Sequence, residues 1–197
     1  PMLVLKRRNA VEKVSLYRRF SGLTLIELVI VLMVMAITLS LSSPLMQDLL
    51  QNNRLRSESI RFLRAINLAR SEAILRNAPV SICPSVMAVT GKAQCSGSYV
   101  DGWIVFANAD KDEVVDADID QVIQVFKGLP PGFQLTNRSG TRAAFKLINY
   151  LPNGSSRSNR TLLFCPPNNA RVRPLSIVIN IVGRARLIGG WGKCPVV

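Results

Sequence analysis

From Leu23 to Leu41 the chain is apolar except for one carboxylate, Glu27, and a few small hydroxyls; the whole stretch Gly22–Ser43 reads GLTLIELVIVLMVMAITLSLSS. About 20 residues at a rise of ~1.5 Å each reach across a hydrocarbon core of about 30 Å. A buried helix of a soluble protein is seldom apolar for so long without interruption. Lys6, Arg7, Arg8, Lys13, Arg18 and Arg19 precede the run. By the positive-inside rule this basic segment stays cytoplasmic, so the long polar chain after the run lies across the membrane.

The junction is more specific than the span. Arg18-Arg19-Phe20-Ser21-Gly22 leads into Leu23-Thr24-Leu25-Ile26-Glu27-Leu28-Val29-Ile30-Val31. This resembles the type IV prepilin signal: a short basic leader, a glycine, then an apolar helix with glutamate at its fifth residue. That pattern more often has Phe where this chain has Leu23. The resemblance implies cleavage after Gly22 by a prepilin peptidase and N-methylation of Leu23. Residues 1–22 are then a leader outside the mature fold. Residues 23–43 form the transmembrane part of the N-terminal helix. The implied location is the inner membrane, crossed once, with a periplasmic domain that becomes extracellular in an assembled pilus.

An ionisable group inside a membrane segment is costly and usually has a partner. Cutting after Gly22 creates a cationic amine on Leu23, one helical turn from Glu27. Glu27 is therefore expected to neutralise the amine of an adjacent pilin subunit, cancelling two charges as helices are buried in a filament. The plainer reading is a tolerated carboxylate near the membrane interface.

Pro44 sits where the apolar run ends and predicts a kink. Beyond it, residues 44–78 continue the helix in amphipathic form. Leu55, Phe62, Ile66, Ala69 and Ala73, with Leu63 alongside, follow helical spacing. Arg54, Arg61, Arg64 and Arg76 fall largely off that stripe and read as a solvated face rather than a nucleic-acid patch. Asn77 and Pro79 end the helix.

Residues 79–197 read as a β-rich globular domain. Strand signals occur at Val80–Cys83, 103–106, 122–126, Phe133–Thr136, Ala143–Ile148, Thr161–Phe164 and Leu175–Val182, with Pro/Gly/Asn turns between them. The loop with Asp110, Asp112, Glu113, Asp116, Asp118 and Asp120 invites calcium. It lacks the helix context, central Gly and terminal Glu of an EF-hand, so a solvated hairpin loop is expected. Cys83, Cys95, Cys165 and Cys194 form an even set facing an oxidising compartment. Three pairings are possible; we favour Cys83–Cys95 as a local staple and Cys165–Cys194 as a clamp on the C-terminal tail. Without a C-x-x-C spacing or any His, zinc has no support.

The helix-then-strands order resembles the type IV pilin architecture: an α+β fold whose long N-terminal helix packs on antiparallel sheet. The GspH/FimT subfamily of minor pilins and pseudopilins is the nearest match. It is carried by the prepilin motif, Ala69-Arg70-Ser71-Glu72-Ala73 before an Arg-Asn turn, Gly102-Trp103-Ile104-Val105-Phe106 with its acidic loop, and Gly183–Arg186.

Net charge is +13, of which the leader holds +5 and the mature chain +8. From Gln121 to Val197 there is no Asp or Glu, against eleven Lys and Arg. This asymmetry predicts one strongly positive end. Within it, Gly183-Arg184-Ala185-Arg186 precedes Leu187-Ile188-Gly189-Gly190-Trp191-Gly192-Lys193. Gly183 permits a turn. Arg184 and Arg186, two apart, project the same way if extended, and guanidinium groups hold phosphate oxygens bidentately. Gly189, Gly190 and Gly192 suggest a mobile loop, and Trp191 either stacks on a ligand or covers the core. The pattern resembles the GRxR motif of FimT-type minor pilins that bind DNA in natural transformation. Carried over, Gly183, Arg184 and Arg186 are the motif residues. Arg138, Arg142, Arg157, Arg160, Arg171, Arg173 and Lys193 are auxiliary candidates. Such binding is sequence-independent and salt-sensitive. Gly192-Lys193-Cys194 is not a phosphate loop. No nucleophile–base set is present, so no enzyme and no cofactor are expected. The rival readings are a minor pilin that primes pilus assembly without DNA, and a minor pseudopilin of type II secretion.

Overall fold

The computed structural model describes residues 22, 24–110, 112, 114–116, 119–144, 146–167 and 172–195; within the first helix the side chains of positions 41–45 are not described. The chain divides into two compact units, Pro1–Ser42 and Ser43–Val197. One helix, α1, is continuous over Leu25–Arg76. The helix runs through position 44. Among the described residues no helix is long and apolar enough to cross a membrane. Positions 23 and 41–45, which carry part of the apolar run, lie outside that description. The described part, 25–40, presents its large hydrophobic side chains bare, from Leu25 to Leu39.

The helical stripe is the core-facing stripe: Leu55, Phe62, Ala65, Ile66, Ala69 and Ala73 are wholly buried. α1 stops in a Schellman arrangement. Asn77 takes a positive φ of 48°, its N–H reaches Ile74 O, and Ala78 N–H reaches Ala73 O. Pro79 then prevents continuation.

Among the described residues eight strands follow: β1 Val80–Pro84, β2 Gly102–Ala107, β3 Gln121–Lys127, β4 Gln134–Asn137, β5 Ile148–Tyr150, β6 Arg160–Cys165, β7 Leu175–Ile179 and β8 Ala185–Gly189. A short helix, α2, Met87–Thr90, lies between β1 and β2. They form two antiparallel four-stranded sheets, ordered β3-β2-β1-β5 and β4-β6-β7-β8. Three readings need correction. The segment 143–148 contributes only a bridge at Ala143 before β5 begins at Ile148. β7 ends at Ile179, not Val182. The glycine-rich run is no mobile loop: Ala185–Gly189 is an edge strand hydrogen-bonded to β7.

Phe62 joins the layers. Its ring meets Tyr99, Trp103 and Phe164 edge-on at centroid distances of 5.2, 4.9 and 5.7 Å. Trp103 belongs to the first sheet and Phe164 to the second, so one helix residue ties both to α1. The other face of the first sheet has its own small core of Cys83, Ile104, Phe106 and Leu147. Arg61 is not simply solvated: it bonds Glu58, Lys127 O and Gly128 O and lies 4.6 Å over the Trp103 ring. Arg76 likewise bonds Glu72 and Gln121.

Two buried phenols set an alkaline limit. Burial pushes Tyr150 up to about 12, against a smaller pull from Arg70, and raises Tyr99 further, against Arg160. Both exceed the unfolded value of about 10, so the folded state holds protons that the unfolded state has lost. Their contribution is complete below pH ~10 and is lost as pH rises through the folded values. The expected result is flat stability up to about pH 10, then unfolding in which circular dichroism and tyrosinate absorbance change together.

Candidate nucleic-acid interface

β7 and β8 are joined by a turn that Asn180 organises. Its N–H donates to Arg184 O (3.1 Å), its O accepts from Gly183 N–H (2.8 Å) and its Oδ1 accepts from Arg184 N–H (2.8 Å). Gly183 has φ +83° and is buried, and a Cβ there would overlap the carbonyl oxygen of Gly154. The turn is clamped from behind. Tyr150 Oη donates to Gly183 O (3.3 Å), Ser156 N–H to Ile181 O (3.0 Å), and Arg70 to Gly154 O (3.0 Å) and Val182 O (3.4 Å).

This rigid base presents Arg184 and Arg186 to solvent. Ala185 and Leu187 pack inward on the core, so the alternate positions 184, 186 and 188 face outward. Their main-chain bonds leave both guanidinium groups available to an anion, and charge-assisted bidentate bonding to phosphate oxygens is what such groups do best. Ile181 and Val182, 58% and 60% exposed, form the tip beside them.

The C-terminal tail crosses the outer face of the second sheet as a strap. Gly190 N–H bonds Pro174 O, Ser176 Oγ donates to Trp191 O, Gly192 packs against Leu163 and Arg138 O, and Lys193 N–H reaches Arg138 O. The strap is pinned by Cys165–Cys194; a second disulfide, Cys83–Cys95, closes the α2 loop. Loops of these lengths correspond to roughly 3 and 3.5 kcal/mol of chain entropy. The Trp191 ring is exposed, with Arg138 4.3 Å over it; Lys193 lines a shallow cavity with Asn137, Arg138 and Ser139.

The candidates named from sequence are thus only partly gathered. Gly183, Arg184 and Arg186 form one unit. Arg173 is exposed just before β7, at the opposite end of that strand, about 17 Å along it from the level of Arg186 and about 23 Å from that of Arg184 at ~3.3 Å per residue. Lys193 sits at the far end of the strap. Arg171 and Leu23 lie outside the described residues, and Gly22 is exposed. Asn180 and Arg70, which shape the turn, were missed. An Asn three residues before a Gly is an available turn signal; Arg70 has none, because its partners are 84 and 112 residues away.

At the helix start, Thr24 Oγ1 accepts from Glu27 N–H (3.3 Å) and Thr24 O from Leu28 N–H (3.1 Å). Thr24 is therefore the N-cap and Glu27 the third helical residue, the T-x-x-E pattern of a capping box. In the acidic loop, Asp110, Asp112 and Asp116 each bring a carboxylate oxygen within 4.8 Å of the others. Asp120 accepts from Ala109 and Asp116 N–H, which folds the loop on itself; Glu113 and Asp118 lie outside the described residues.

The family model described as type II transport protein GspH matches residues 58–183, well over half of the chain. The prokaryotic N-terminal methylation motif matches residues 17–43. No curated protein sequence matches significantly. Among solved structures, the type IV minor pilin FimU of Pseudomonas aeruginosa is similar, with 19% identity, a TM-score of 0.51, and coverage of 73% of this chain and 93% of that one. The minor pseudopilin EpsH from the Type 2 Secretion System of Vibrio cholerae has 18% identity and a TM-score of 0.48, covering 69% and 97%. At such identity the FimU likeness speaks for the fold. The GspH match stops at Gly183, so Arg184 and Arg186 lie beyond what the family model covers.

Proposed function

The chain belongs to the GspH family of type II transport proteins, and from that premise we propose that it is a minor type IV pilin that binds extracellular DNA for uptake in natural transformation. Members of this family are structural subunits, not enzymes, and associate with other pilin subunits. In the proposed life of the protein, a prepilin peptidase cuts after Gly22 and Leu23 is methylated. The helix waits in the inner membrane with the β-domain periplasmic, and assembly carries the domain to the cell exterior.

One observation carries the DNA reading. Arg184 and Arg186 stand exposed, side by side, on a turn held rigid from below, in a segment with no carboxylate from Gln121 onward. A rigid pair loses little conformational freedom on gripping phosphate, and no acid of that segment competes for it. Arg173 lies at the other end of β7 and Lys193 beside Arg138, across the sheet from the hairpin, so in this reading both serve as peripheral attraction.

The test is DNA binding by the full chain in detergent, titrated across salt, beside Arg184→Ala/Arg186→Ala. Both arginines are exposed and their main-chain bonds survive in Ala, so stability stays within about 0.5 kcal/mol of the parent. Affinity is expected to fall at least tenfold, and the slope of log K against log salt to flatten by about 2, at roughly 0.9 per phosphate contact. Unchanged binding removes this site.

The GspH match is equally compatible with a type II secretion pseudopilin, or with a pilin that only primes assembly; neither needs Arg184 or Arg186. A double variant that takes up DNA, piliates and secretes as the parent does selects those roles; lost DNA uptake with normal piliation selects the DNA role.

A further inference from the structure

The two faces of the second sheet are covered differently. Leu135, Phe164 and Ile177 point into the core. On the other face, strand register lines up Thr136, Leu163, Ser176 and Ile188, and beside them Thr161, Val178 and Arg186. Leu163 and Ser176 are nevertheless wholly buried, because the C-terminal strap lies on them. Trp191 O accepts from Ser176 Oγ, and a Cβ at Gly192 would lie 3.0 Å from both Leu163 methyls. The strap, and Trp191 with it, is therefore on the face that carries Arg184 and Arg186.

Trp191 is 39% exposed, although an indole over a sheet has every reason to be covered. Arg138, itself exposed, lies 4.3 Å over its ring. Lys193 N–H reaches Arg138 O (3.4 Å), and the disulfide Cys165–Cys194 holds the strap there. Arg138 and Lys193 line a shallow hollow of about 710 Å³ to which, among the described residues, no carboxylate contributes.

Register also gives the span. Asn137 faces Leu162, so position 138 comes level with Thr161, and through Val178 with Arg186. Three interstrand steps of about 4.8 Å separate the backbones of Arg138 and Arg186 by roughly 14 Å. The strap crosses that interval, with Trp191 over β7 and Gly192 over β6. At a rise of about 3.4 Å per stacked nucleotide, roughly four nucleotides of one strand cover it. Cations at both ends and an indole between them, on a face without acids, are the parts of a single-strand track: the cations follow the backbone and a base stacks on the ring. A duplex keeps its bases stacked on one another and offers the ring no base face.

We propose that this face of the second sheet, from Arg184 and Arg186 across Trp191 to Arg138 and Lys193, is a site for single-stranded DNA in which one base stacks on Trp191. This rests on the DNA reading above and adds the strandedness. An exposed cation–π contact is weaker than a base stacked on an indole. The base therefore takes Arg138's place on the ring, and the freed guanidinium meets the neighbouring phosphate.

The experiment uses the full chain in detergent with its disulfides intact. The probes are one arbitrary DNA sequence as a single strand and as a duplex. The chain has two tryptophans and Trp103 is wholly buried, so quenching of fluorescence on binding reports Trp191. The single strand is expected to quench the emission and the duplex to leave it nearly unchanged. Trp191→Ala is expected to weaken single-strand binding about tenfold or more with the salt slope kept, because a stacked base is lost and no phosphate contact is. Its duplex binding stays at the parent's level. Trp191→Phe keeps an aromatic face and recovers most of the affinity. Arg138→Gln/Lys193→Gln flattens the single-strand slope by about 1.4, at roughly 0.7 per phosphate. Binding of the strand without quenching, equal quenching by the duplex, or a Trp191→Ala chain that binds the strand as the parent does overturns the stacking site and leaves the hairpin site standing. So does a Trp191→Phe chain as weak as Trp191→Ala, or a parent that binds only duplex. A parent that binds neither probe overturns both readings.

Discussion

Gly183→Ala is expected to cost about 2–5 kcal/mol of folding stability, read as a drop in the urea midpoint of the full chain. Two effects add. A residue with a Cβ at φ +83° carries roughly 1–2 kcal/mol of backbone strain. The new Cβ also overlaps Gly154 O, which is backbone, and lies 3.1 Å from the Tyr150 ring, which is buried. Neither can swing away, so the turn must lift off the 151–155 loop, at a further cost of about 1–3 kcal/mol. Gly190→Ala is the control: its φ is +70°, but its Cβ would enter open space. It should show strain alone, about 1–2 kcal/mol. Equal midpoints for the two variants would falsify the close-packing account. The comparison also separates roles within the motif. Gly183 acts by letting the hairpin seat on the 151–155 loop, whereas Arg184 and Arg186 act on the ligand, so only the glycine substitution should lower stability and DNA binding together.

Glu27→Gln is expected to leave the helix start intact and to abolish entry into the filament. Gln is as acceptable as Glu at the third position of a capping box, and Thr24 still accepts from the main-chain N–H at 27. What disappears is the charge proposed to meet the amine of Leu23 on a neighbouring subunit. An unpaired buried cation costs several kcal/mol, so incorporation should fall about a hundredfold or more. The assay is the amount of this subunit in sheared filaments, with Thr24→Ala beside it. If capping were the whole role of residue 27, Thr24→Ala would be the damaging change and Glu27→Gln would assemble like the parent.

Much of the fold was legible because its signals are local. The helix stripe from Leu55 to Ala73 repeats every turn, and all five named positions are buried. Asn77 and Pro79 act on their own neighbours. β8 was not legible. It is only five residues long, Ala185–Gly189, with one arginine outward, another just before it and a glycine at its end; nothing local distinguishes it from a basic loop. It is a strand because β7 supplies a pairing edge and because Tyr150, Arg70 and the 151–155 loop hold the turn before it. Arg61 shows the same limit. Its helical position says solvent, yet Trp103, Lys127 O and Gly128 O, brought up by strands far along the chain, capture it.

The sequence by itself determined the apolar helix with its single acid, the amphipathic stripe, the strand-rich remainder and the confinement of acids to the part before Gln121. These depend on residue type and short spacing, and short-range sterics and hydrophobic burial read them directly. Only the tertiary structure decided which of eleven C-terminal cations stand together. It set Arg184 and Arg186 on one edge, sent Arg173 to the other end of β7, and laid Lys193 beside Arg138. Charge has no range of its own along a chain; strand register and the path of the strap decide which charges become neighbours.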